Sequence, residues 1–276
     1  MKNTFSKSFF KTLSHLAPSI MAQNVYHFIS NPRIRKLRDH EEAILDRSKK
    51  RSIKFKDFKI QTYTWGDPQD KLVFLIHGWE GQAGNFGALI DILLDNGYQI
   101  KAFDAPAHGH SSKGKTHMFE FAELVSSLIH KNKPSYIISH SFGTVTSVMA
   151  MTQNPDIPIE KWIIVTTPHN FEDRIKDVKR LMGLSDKTID KVIHMIEREQ
   201  DLRVGQMNMN YFSDKISHVK EAIMVHSKSD KILPIEYARE ANKSIEQSRL
   251  IELENHGHYS ILWSDELKEI IRNELN

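Results

Sequence analysis

The residues best suited to chemistry in this 276-residue chain stand where apolar runs end. Lys71–Gly78 reads KLVFLIHG and Ser135–Gly143 reads SYIISHSFG, and each is a strand-length run that stops abruptly in small residues and histidine. The second run places Ser141 on a tight strand-to-helix turn, which lifts a hydroxyl clear of the sheet for nucleophilic attack. Further along, AIMVHSKSD ends in Asp230, and NHGHYS carries His256 and His258. Hydroxyl, carboxylate and imidazole, in the order Ser141, Asp230, His258, are the parts of a base-assisted nucleophile. The chemistry they imply is attack on an acyl carbonyl.

Such groups need a scaffold that gathers strand ends. SIKFKDFKIQTYTW alternates apolar and polar residues around Asp57, which predicts a hairpin with one wet face. KLVFLIHG, YQIKAFD, SYIISHS, KWIIVTTP, AIMVHSKSD and SRLIELE read as further strands. Helices are expected over about 83–96, 116–131, 142–153, 235–246 and 262–275 from their apolar spacing. Strands alternating with helices predict a parallel sheet covered on both faces. Its ligands should bind beyond the carboxyl ends of the strands.

The rhythm breaks between Pro168 and Glu221, where helices over about 171–182 and 186–201 replace any clear strand. The chain therefore divides into an N-terminal basic helical arm (1–51), a core (52–168 and 222–276) and a helical cap inserted at 169–221.

LIHGW, DAPAHGHS, SHSFG, HSKSDKILP and NHGHYS, each at a strand end and in this order, make residues 53–276 resemble the α/β-hydrolase family. The resemblance implies an α/β fold with eight mostly parallel strands and a Ser-Asp-His mechanism. Ser141 would be the nucleophile, His258 the base, and Asp230 the acid that orients the imidazole. The backbone N–H groups of Trp79 and Phe142 would form the oxyanion hole, and Gly143 would allow close helix–strand approach. The chain departs from the family pattern at Ser139, where a glycine is usual.

Other side chains compete for these roles. His256 competes with His258, which follows Gly257 and precedes an aromatic as in the family. Asp104 competes with Asp230, but at the start of a turn its carboxylate is better suited to capping backbone amides. His108, His110 and His117 suggest a metal cluster, yet Ser111-Ser112 stand where carboxylate and imidazole ligands would be needed, and the chain has no cysteine. No metal and no organic cofactor are expected. Trp79, Phe86, Phe142 and methionines such as Met207 would form an apolar acyl pocket flanked by His77 and His140, although Phe86 reads equally well as core.

Formal charge is +3, too small to argue for nucleic acid. Residues 1–51 hold 11 Lys/Arg against 4 Asp/Glu, which leaves −4 on the remainder. The arm has apolar residues at helical spacing, among them Leu13, Leu16, Ile20, Val25, Phe28 and Ile29, with a second helix over about 33–50. It reads either as two helices packed on the body or as a peripheral membrane contact. His15, Pro18 and serines interrupt the apolar run, which argues against a cleaved signal and for a cytoplasmic protein. The overall expectation is a carboxylesterase acting on a small-molecule ester. Thioesterase, acyltransferase or carbon–carbon hydrolase chemistry on the same three residues remains open, as does a non-catalytic ligand-binding protein. Oligomeric state is not legible.

Overall fold

The computed structural model describes residues 10–33, 37–198 and 203–275. Eight strands form one sheet in the order β1-β2-β4-β3-β5-β6-β7-β8. β1 (Lys49–Phe55) and β2 (Phe58–Trp65) make the hairpin expected around Asp57, and β2 also pairs antiparallel with β4 (Gln99–Phe103). From β4 onward every pair is parallel, through β3 (Leu72–Ile76), β5 (Tyr136–His140), β6 (Ile159–Val165), β7 (Val219–Ser227) and β8 (Ser248–Leu253).

Side chains alternate across a strand, so each central strand feeds two cores. On one face Phe74, Ile76, Ile137, Trp162, Ile164 and Met224 pack under α5 (Met118–Asn132) and α6 (Phe142–Thr152). On the other, Val73, Leu75, Ile138, Ile163, Val165 and Val225 pack against α4 (Gly87–Asp95) and α11 (Asp265–Glu274). Phe86 is fully buried in this second core and does not border the cavity beside Ser141, so its reading as core is the correct one.

The N-terminal segment is laid against the body. α1 (residues 10–16) and α2 (Pro18–Ile29) join the core on the side of the sheet that carries α5 and α6, with Met21, Ala22 and Val25 buried there. α3 (Asp39–Asp46) serves the opposite face through Ile44 and Leu45. The helix expected over 33–50 is therefore shorter; residues 34–36 lie outside the described ones, and Lys49 already opens β1. Pairing with β2, Lys49 opposite Thr64 and Arg51 opposite Thr62, overrides helical propensity there, and a charged strand suits a sheet edge.

Between β6 and β7 the chain builds α7 (Phe171–Met182), α8 (Asp186–Glu197), a 3-10 turn (Val204–Gln206), α9 (Met209–Ser213) and, among the described residues, no strand of the sheet. The expected end of the second helix, at 199–201, falls outside the described residues. α7 and α8 begin at Asn170 and Ser185, whose side chains accept the N–H of Asp173 and Thr188, and α7 stops at Gly183 in the left-handed region. A buried polar clasp joins this segment to the N-terminus. Ser14 Oγ accepts the Ser185 backbone N–H at 2.6 Å and lies 2.9 Å from Thr188 Oγ1, while Ser185 Oγ donates to the Ser14 carbonyl at 2.7 Å.

Candidate active site

Ser141 follows the last residue of β5 and precedes the first of α6, and it carries the geometry that such a turn imposes. Its φ of 54° is rare for a residue with a side chain. The strain is held by its surroundings: Ser141 N–H donates to the carbonyls of Val165 and Thr166 at 3.0 and 2.9 Å. A Cβ on Gly143 would overlap the carbonyl oxygens of Ile76 and His77, so only glycine lets α6 approach β3. Ser139, at the position where glycine is usual, lies within β5 and needs no left-handed backbone. Its hydroxyl accepts Trp162 Nε1–H at 2.9 Å and lies 3.1 Å from Thr144 Oγ1, which gives the buried indole its partner.

The structure brings the three sequence candidates together. His258 Nε2 lies 2.8 Å from Ser141 Oγ, and His258 Nδ1 lies 2.8 Å from Asp230 Oδ2. The second carboxylate oxygen of Asp230 accepts the N–H groups of Ile232 and Leu233 at 2.8 and 3.0 Å. Burial disfavours the Asp230 charge, but the His258 hydrogen bond and those two amides outweigh it and hold the carboxyl below its ordinary range. His256 is not in this chain of contacts; its Nε2 faces Glu266 at 3.2 Å.

His77 and His140, expected as pocket walls, do not border the cavity; both are buried and hold backbone. His140 Nε2 donates to the His258 carbonyl at 2.8 Å, and burial, with the neighbouring His258, pushes its pKa down to about 3. His77 Nε2 accepts Ala105 N–H at 3.0 Å, so Nδ1 carries the proton and donates to the Gly78 carbonyl at 2.7 Å. Gly81 N–H donates to that same oxygen at 3.0 Å. A trans peptide is planar, so pinning the Gly78 carbonyl aims the Trp79 N–H the opposite way. Gly78 also passes so close to the nucleophile that a Cβ there would stand 3.1 Å from Ser141 Cβ.

Asp104 has the structural role expected of it, accepting Ala83 N–H, His110 N–H and Tyr63 Oη–H at 2.8–2.9 Å. The other histidines have separate tasks. His108 Nδ1 donates to the Pro106 carbonyl while Nε2 accepts Glu80 N–H, and His117 caps α5.

A cavity of about 450 Å³ opens beside Ser141 and His258. Trp79, Phe142 and Met207 border it as expected, with Val145 and Val148 of α6 and Ile189, Val192 and Ile196 of α8. Sequence reasoning missed a wall: Val25, Tyr26 and Ile29 of α2 close one side. The helical stripe of the arm was the available signal, but periodicity does not say what a stripe faces. Glu80 is the single carboxylate among the described lining residues, and Arg33 holds it through both Nε and backbone N–H, at 3.0 and 3.1 Å.

Comparisons with known proteins agree with this architecture. Residues 67–224, more than half of the chain, match the family described as serine aminopeptidase, S33. A human serine hydrolase-like protein is 29% identical over 150 residues, covering 51% of this chain and 71% of its own. Phospholipase YtpA of Bacillus subtilis (strain 168) is 24% identical over 196 residues, covering 67% and 71%. Among solved structures, the ferulic-acid-bound Est1E of Butyrivibrio proteoclasticus superposes with a TM-score of 0.62 at 20% identity, covering 82% of this chain and 96% of that one. With a sheet of this order and a family match of this extent, the chain belongs to the serine aminopeptidase S33 family, a serine-hydrolase branch of the α/β-hydrolases.

Proposed function

We propose that the protein hydrolyses a carboxylic ester of an uncharged, largely apolar substrate through an acyl-enzyme. The observation that carries this reading is the continuous line from Asp230 through His258 to Ser141 Oγ, both links at 2.8 Å, ending at an apolar cavity.

Ser141 attacks the carbonyl as His258 Nε2 takes its proton, and Asp230 stabilises the imidazolium that forms. Phe142 N–H, at the N-terminus of α6, and Trp79 N–H, fixed through the Gly78 carbonyl, receive the charge on the carbonyl oxygen. His258 returns its proton to the leaving alkoxide. Water activated by the same imidazole then releases the acid. No step calls on a metal or an organic cofactor. The helices between β6 and β7 act as the cap over this site, the described helices ahead of β1 act as its basic arm, and the sheet with its flanking helices forms the core that carries the three side chains.

Esters fit better than the peptides that the family description names. An aminopeptidase must meet a free α-ammonium group, which calls for an unpaired carboxylate; the one carboxylate in the described lining is taken by Arg33. Purified protein is expected to turn over p-nitrophenyl acyl esters and to leave aminoacyl p-nitroanilides uncut. Cleavage of the anilides with no ester turnover would reverse the assignment.

A further inference from the structure

The arm of this protein has apolar side chains on both of its sides. On α1–α2, Met21, Ala22 and Val25 are buried in the core and Tyr26 and Ile29 line the cavity, yet Leu16, Ile20 and Phe28 stand 79%, 56% and 45% exposed. A helix packed on a body ordinarily turns polar residues outward. Six large apolar side chains are markedly exposed among the described residues. Three of them, Phe28, Ile232 and Tyr259, also border the cavity and give its mouth an apolar rim, and Leu16 and Ile20 stand exposed on the same arm as Phe28. Large apolar side chains left exposed at a site mouth and on the helices beside it mark a contact surface.

Charge indicates what that contact is. The first 38 residues contain seven Lys/Arg and no Asp or Glu, and the first acidic residue is Asp39. Lys11 on α1 is exposed, and the Arg33 side chain at the cavity edge is 60% exposed. Apolar side chains rooted in the helices of a segment whose sequence is rich in cations and poor in anions are suited to the interface of an anionic bilayer, where the chains enter the acyl boundary and the cations meet headgroups.

We propose that α1–α2 and the cavity rim form a docking surface for anionic lipid, which sets the mouth of the cavity against the bilayer. α2 then has two roles: its inner side is a wall of the acyl cavity, and its outer side is the membrane contact. An ester partitioned into the bilayer reaches Ser141 past Phe28, Ile232 and Tyr259 without crossing water. This route to hydrolysis rests on the ester reading above, whereas docking itself does not.

The test is vesicle flotation of the full chain carrying Ser141→Ala, so that binding is read without turnover. The expected result is flotation with phosphatidylcholine vesicles containing phosphatidylglycerol, loss of it when salt is raised, and little with phosphatidylcholine alone. Leu16→Ser with Ile20→Ser, both outside the cavity lining, should lower partitioning by roughly tenfold or more. In the otherwise native chain the same pair should leave turnover of a short soluble ester unchanged. No flotation, equal flotation of the double variant, or indifference to lipid charge overturns the proposal. So does a dimer in light scattering that the double variant dissolves with no vesicle binding, since the face would then belong to a second copy.

Discussion

At the residue scale, the substitution most informative about this chain is Ser139, because it departs from its family there and the structure shows what replaces the glycine. The serine hydroxyl satisfies the indole of Trp162, a fully buried side chain. Restoring glycine should therefore destabilise: an orphaned buried donor costs about 1–3 kcal/mol and the freer backbone about 0.5–1 kcal/mol more. Urea unfolding of Ser139→Gly checks this, and a variant as stable as the parent would refute the assigned role. The buried histidines give a second prediction. His77, His140 and His226 all have pKa values pushed below their ordinary 6.5, chiefly because burial penalises the charged ring. The unfolded chain takes up protons near 6.5 while the folded chain does not, so stability is complete above that pH. It falls as the pH drops toward the folded values, about 3 for His140, by up to about 1.4 kcal/mol per pH unit for each histidine. Melting temperature measured from pH 7.5 to 5 should decline, and His140→Gln should flatten the decline; a level profile in the parent would contradict it. The types and order of Ser141, Asp230 and His258 were legible in the sequence because each ends a strand. The tasks of His77 and His140 were not, since a histidine beside a site in sequence has the same letter whether it faces ligand or holds a carbonyl.

At the scale of elements, strands and helices of the core followed from period and composition, and the hairpin at Asp57 and the parallel run from β4 to β8 match what alternation predicts. The misjudged element was the helix over 33–50, where strand pairing, a long-range contact invisible to local propensity, claims Lys49 onward. The placement of the N-terminal helices was also beyond the sequence: their apolar stripe was clear, but the partners of Ser14 on α1, Ser185 and Thr188, lie 171 and 174 positions away. The polar clasp at Ser14 predicts that Ser14→Ala leaves the half-buried Ser185 N–H unpaired and lowers stability by about 1 kcal/mol or more. Because α1 leads directly into α2, which is a cavity wall, the same change should reduce ester turnover more than Ser126→Ala, a control on α5. Calorimetry and steady-state rates on both variants would check this; equal effects would separate the clasp from the cavity.

At the scale of the whole molecule, one end of the sheet, the helices between β6 and β7 and the N-terminal helix α2 border an apolar cavity that the Ser141 side chain also lines. Fold and family are fixed by topology and by the match over 67–224, while the reaction rests on Ser141 being an activated nucleophile. Its reactivity can be measured without knowing the natural substrate. The protein should react with a fluorophosphonate, with mass spectrometry of the digest placing one adduct on Ser141. Labelling should vanish in Ser141→Ala and fall by at least roughly a thousandfold in rate in His258→Ala. A folded protein that takes no label, or takes it at another residue, would contradict the central claim.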